Sequence, residues 1–182
     1  MKRSRSLKLA LMGASALSLA ACDNPENVAV FESVEQCQNE AGFDRETCEA
    51  NFKQAAAEHI RVAPKYTSAA DCEADFGAAQ CEIAPQTTQD GGSVFMPLMM
   101  GYMMGSMLAN NSRVATQPLY RSNDDRGSFR TGDNQKVAGK TGLTQVPAQV
   151  AKAPTTKTTT IRRNGFGASA RAFTGGSRSF GG

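Results

Sequence analysis

Four cysteines hold most of this chain's capacity for chemistry, and their spacing says of what kind. Cys37 and Cys48 lie eleven residues apart, and Cys72 and Cys81 lie nine apart. Thiol–disulfide exchange favours a low-pKa thiol in a Cys-x-x-Cys turn, and the sequence contains no such motif. Structural zinc prefers thiolates two to four residues apart, which these spacings do not offer. In an oxidising compartment the four residues become staples, with three pairings open to them. His59, the single histidine, sits beside Ile60 on an inferred apolar helix face and reads as a packed side chain rather than a base or ligand. Six of the eight methionines fall within residues 93–108. Thioethers suit Cu(I), but no histidine or acid accompanies them there, so no metal site, cofactor or catalytic residue is expected.

The compartment is set at the N-terminus. Lys2, Arg3, Arg5 and Lys8 precede an uncharged run over residues 9–20, the pattern of a secretory signal peptide. Twelve residues are too few to span a ~30 Å hydrocarbon core. Leu19-Ala20-Ala21-Cys22 resembles the lipobox of bacterial lipoproteins. That resemblance implies cleavage before Cys22, a diacylglyceryl thioether on its sulfur and a further acyl chain, such as palmitate, on its amine. Anchoring by more than one chain is stable, at ~0.8 kcal/mol per buried CH₂. Asp23, next to the lipidated position, resembles the signal that keeps lipoproteins in the inner membrane, with the outer membrane as the alternative. The expected location is the periplasmic side of a bacterial cell membrane, with membrane lipid as the first partner.

Beyond the signal the chain is polarised. Residues 23–85 carry a net charge of −9 and residues 86–182 a net charge of +8, an asymmetry hidden in the overall +3. The acidic half is repetitive. Phe31, Ser33 and Cys37 recur at an offset of 35 as Tyr66, Ser68 and Cys72, with Gly42 and Gly77 five residues after each cysteine. Ser33 with Gln36, and Ser68 with Asp71, fit capping boxes, while the glycines suit helix ends. Asp44 can cap a longer helix running to about Arg61 and ending before Pro64. The repeat favours pairing within each unit, Cys37 with Cys48 and Cys72 with Cys81, at roughly 2–3 kcal/mol per bond.

Residues 93–108 are uncharged and predict an apolar helix carrying Met96, Met99, Met100, Met103, Met104 and Met107. Gly101 and Gly105 would let a second helix approach closely. The helix would pack on the cysteine module, lie in the bilayer interface or meet an envelope protein partner. Spanning the bilayer, or binding Cu(I), are the other arrangements. Residues 112–182 are rich in Gly, Ser, Thr and Arg with no lasting apolar period, which predicts disorder. Arg and Phe in a Gly-rich context would bind nucleic acid in the cytosol. In an exported protein, anionic lipid or a cell-wall polymer takes that place.

The run Ala63-Pro64-Lys65-Tyr66, with Asp71-Cys72, Phe76-Gly77 and Gln80-Cys81, resembles the YgiB-type envelope protein family, as does the stretch from Phe95 to Gly105. That family is a domain of unknown function, so the resemblance implies localisation and organisation but no activity. The expected organisation is a signal peptide over 1–21, a lipidated tether over 22–30, a cysteine-containing helical module over 31–85, a Gly/Met-rich apolar helix over 86–111 and a disordered basic tail over 112–182. The expected fold class is mainly α, a small disulfide-stapled helical module with long disordered regions. The expected function is that of a non-enzymatic envelope lipoprotein, with a thiol redox or Cu(I)-handling protein as the alternative.

Overall fold

The computed structural model describes residues 25–41, 43–105, 115–157, 161, 164–168 and 170. Cys22, Asp23 and Met107 lie outside them. The chain begins with β1 (Glu26–Phe31), α1 (Val34–Ala41), α2 (Arg45–Val62) and α3 (Ala69–Phe76). A hairpin follows, β2 (Cys81–Thr87) and β3 (Ser93–Pro97), and then β4 (Gly101–Gly105). The rest supplies β5 (Gln117–Ser122), β6 (Asp125–Arg130), β7 (Lys136–Ala138), β8 (Gly142–Val146) and α4 (Ala148–Ala151).

The helices follow their local signals. Ser68 accepts a hydrogen bond from the Asp71 amide at the start of α3, and Asp44 accepts one from the Thr47 amide at the start of α2. Gly77 ends α3 at φ +109°, a conformation that L side chains rarely adopt. Cys37 is bonded to Cys48, tying α1 to α2, and Cys72 to Cys81, tying α3 to β2.

The centre is a six-stranded antiparallel sheet in the order β7-β6-β5-β4-β1-β8. Its two edge strands are consecutive in the chain, joined by residues 139–141 alone. Laid flat, six strands would separate those edges by about 24 Å, whereas so short a link reaches about 14 Å. The sheet therefore rolls until it nearly closes. Side chains alternate across it. Val28, Val30, Met103, Leu119, Phe129 and Val146 fill the inside of the roll, where Val150 and Ala151 of α4 join them. Ala29, Phe31, Tyr102 and Met104 point outward and are covered by Cys37, Phe43, Cys48 and Ala55. A third cluster packs Phe76, Tyr66 and Met96 with Tyr120 and Phe166, beneath the β2–β3 hairpin.

The expectation of a mainly α fold is overturned, because the architecture is mainly β. The predicted Met-rich helix is two strands, β3 and β4, separated by residues 98–100. Glycine spacing that would suit helix contact instead lets strands approach. A Cβ on Gly101 would come within 2.7 Å of the Phe31 carbonyl oxygen and 3.2 Å of the Phe129 ring. Methionine is adaptable enough to pack in either conformation, so pairing with β1 decides. The predicted long disordered tail is corrected too, since residues 117–151 contribute four strands and a helical turn. Each of those strands carries only a few apolar residues, and they repay their ordering entropy only inside the completed sheet. One sheet draws strands from the stretches expected to be tether, Met-rich helix and tail.

Candidate functional site

The chemistry-bearing residues of the sequence are mostly consumed by the interior. Cys37, Cys48 and Cys72 are fully buried, and Cys81 is partly buried against the third cluster. Met96, Met103 and Met104 are core residues, Met99 packs at the edge of the second cluster, and Met100 is 37% exposed. Met96, Met103 and Met104 sit on two strands and Met99 and Met100 in the connection between them, so the structure does not gather the thioethers into one site. Gly101 and Gly105 pair with Leu119 and Val28 in neighbouring strands.

His59 gains partners that its sequence neighbourhood does not show. Its Nδ1 lies 2.9 Å from the Tyr120 hydroxyl of β5, and its Nε2 lies 3.0 Å from Glu82 Oε1 of β2. A carboxylate only accepts, so Nε2 carries the proton and Nδ1 accepts from Tyr120. Burial pushes the imidazole's pKa below its ordinary value, and nearby Lys65 pushes the same way, while the Glu82 carboxylate opposes both. Burial also holds the Tyr120 hydroxyl protonated, well above the usual phenol range. A Glu–His–Tyr relay has the elements of general-base chemistry. Here Tyr120 has no exposed surface and packs edge-to-face against Phe76 and Phe166, so no substrate reaches its oxygen. The network joins α2, the hairpin and the sheet.

A second buried network centres on Asp75. Its carboxylate accepts from the Tyr66 hydroxyl at 2.9 Å, from the Asn164 amide at 2.7 Å and from the Gly165 amide at 3.1 Å. This holds residues 164–165 so that Phe166 inserts against Phe76, ring centroids 4.8 Å apart. Phe166 stands between Gly165 and Gly167, within the stretch over 112–182 whose composition predicts disorder.

One cleft, of about 440 Å³, lies at the end of α2 between Ile60, Arg61, Lys65, Gln86, Val94 and Lys157. Its cations are committed. Lys65 Nζ donates to the Ile60 and Ala63 carbonyls at the helix end, Arg61 pairs with Glu58, and Lys157 pairs with Asp133. Among the described residues no three His, Cys, Asp or Glu side chains converge on a metal-sized position, and no helix is long and apolar enough to cross a membrane.

Fold and site together define a disulfide-stapled protein built on a rolled antiparallel sheet, with His59, Tyr120 and Asp75 buried in hydrogen-bond networks. The chain belongs to the family described as protein of unknown function DUF1190, whose model matches residues 25–175. Curated relatives carry the name UPF0441 protein and correspond to the YgiB-type family. The one from Erwinia tasmaniensis is 34% identical over 177 residues, covering 88% of this chain and 79% of the relative. Those from Serratia proteamaculans and Sodalis glossinidius are each 35% identical, covering 88% and 90% of this chain and 80% and 81% of theirs. No solved structure matches the chain.

Proposed function

We propose that this chain is a non-enzymatic cell-envelope lipoprotein, exported, cleaved before Cys22 and held on the periplasmic side of a membrane by acyl chains on that residue. The observation that carries the reading is the pair of disulfides, Cys37–Cys48 and Cys72–Cys81. Such bonds persist where thiols are not continually reduced, and the basic, apolar, Cys-terminated leader is the route to such a compartment. The anchor has a physical consequence. Only residues 23–25 separate Cys22 from the first strand, a reach of about 14 Å, so the rolled sheet would ride at the lipid surface as an interaction or structural protein. Asp23 favours inner-membrane retention. The interior placement of Met96, Met103 and Met104 and the burial of three of the four paired cysteines weigh against Cu(I) handling and thiol exchange.

Mass spectrometry of the membrane fraction tests the anchor. The wild-type chain should begin at Cys22 and carry acyl mass, and Cys22→Ser should lose that mass and leave the membrane fraction. A wild-type chain that is soluble, unacylated and reduced at all four remaining cysteines would overturn the reading.

A further inference from the structure

We infer that a second cleft, between α3 and the β3–β4 connection, binds an anionic head group carried on a short apolar stem. Its volume is about 260 Å³, and Phe76, Pro97, Leu98 and Met100 form its apolar wall while Arg121 and Arg126 supply its charge. This size is below the range of drug-sized pockets and suits a head group with a few carbons.

The two guanidiniums are unequally satisfied. Arg121 donates to Glu32 at 2.9 Å and to the Arg126 carbonyl at 3.2 Å, and it lies 4.1 Å above the Phe129 ring. Its Nε is buried and has no hydrogen-bond partner among the described residues. Arg126 is held by a neutral group, with Nε and Nη2 both donating to Asn123 Oδ1. Among the described residues no carboxylate lies within ion-pairing distance of Arg126. The nearby acids are engaged elsewhere, Glu73 by the Ala79 amide and Asp75 by Tyr66 and residues 164–165.

Two guanidiniums therefore line one small cleft, and among the described residues only Arg121 has a carboxylate partner, Glu32. The positions are preorganised. The Arg126 guanidinium is clamped by Asn123 and lies 3.1 Å from where a Cβ on Gly77 would be, so a side chain there would crowd it. Planar, forked donors of this kind recognise carboxylate or phosphate oxygens in paired hydrogen bonds. The contrast with the α2 cleft is that its three cations already have partners.

Titrating the full chain with hexanoate, hexyl phosphate and hexanol, followed by NMR at the Met100 methyl and the Arg126 Nε–H, tests the inference. Both anions should bind saturably and at least roughly tenfold more tightly than hexanol, given the strength of charge-assisted hydrogen bonds. Whichever anion binds tighter assigns the carboxylate or phosphate source. Arg126→Gln should weaken the anions about tenfold and hexanol little, with Arg126→Lys recovering part. Should Arg126→Gln fail to fold, Met100→Glu, on the exposed wall, should repel the anions. Hexanol binding as well as hexanoate, anion affinity unchanged in Arg126→Gln or Met100→Glu, or shifts mapping away from the cleft would each overturn it.

Discussion

His59 has both ring nitrogens engaged inside the protein, so its charge state is tied to folding. Burial depresses its pKa below the ordinary 6.5, which means the unfolded chain takes up this proton at a higher pH than the native one. Stability from this residue is therefore complete above about pH 6.5 and is lost as pH falls toward the depressed native value. The groups that face it are Glu82 of β2 and Tyr120 of β5, with Lys65 nearby at the end of α2. Carboxylates such as Asp44 and Asp125 also have lowered pKa values, but they titrate out below about pH 4. Urea unfolding between pH 7.5 and 5 should thus show a declining midpoint for the wild type. His59→Gln should unfold at lower urea throughout and show a flatter profile in that window. An equally steep decline in the variant would assign the slope to other groups. In the sequence this residue was legible only as packed, because its partners lie 23 and 61 positions away.

Strand β4 is where element-scale signals and the tertiary outcome part. Local propensity reads residues 93–108 as helical, since Met and Leu are good helix formers. The sheet wins because β4 sits between β1 and β5, with Val30 opposite Met103 and Leu119 opposite Gly101. The fit at Gly101 is tight enough to test this. Gly101→Ala would place a methyl against the Phe31 carbonyl and the Phe129 ring, and overpacking of this kind costs about 1–3 kcal/mol. Gly127→Ala is the control, since the nearest atom to its Cβ is a side-chain oxygen at 4.0 Å. Comparable urea midpoints for the two variants would mean that the β1–β4 contact is looser than described. By contrast α2 and α3 were legible from Asp44, Ser68 and Gly77, because caps act within three or four residues.

At the scale of the whole molecule, the acidic half and the basic half close on one another through specific groups rather than diffuse attraction. Glu32 pairs with Arg121, Glu82 meets the His59–Tyr120 pair, and Asp75 holds the backbone of residues 164–165. Asp75→Asn should weaken the last of these, since one carboxylate oxygen becomes an amide NH2 group, which donates and cannot accept. The Asn164 and Gly165 amides should then exchange about tenfold faster with solvent, equivalent to losing ~1.4 kcal/mol of a charge-assisted bond. Unchanged exchange would show that Phe166 packing alone retains the segment. Composition, caps and the cysteine repeat were readable from the letters, since each rests on neighbours a few residues apart. The rolled sheet was not, because its pairings join residues as distant as Val28 and Thr144. A strand with a few apolar side chains gains its burial and its hydrogen bonds only when the partner strand is already beside it. That cooperativity has no signature in any single stretch of the chain, and it decided the fold, the burial of the methionines and the company that His59 keeps.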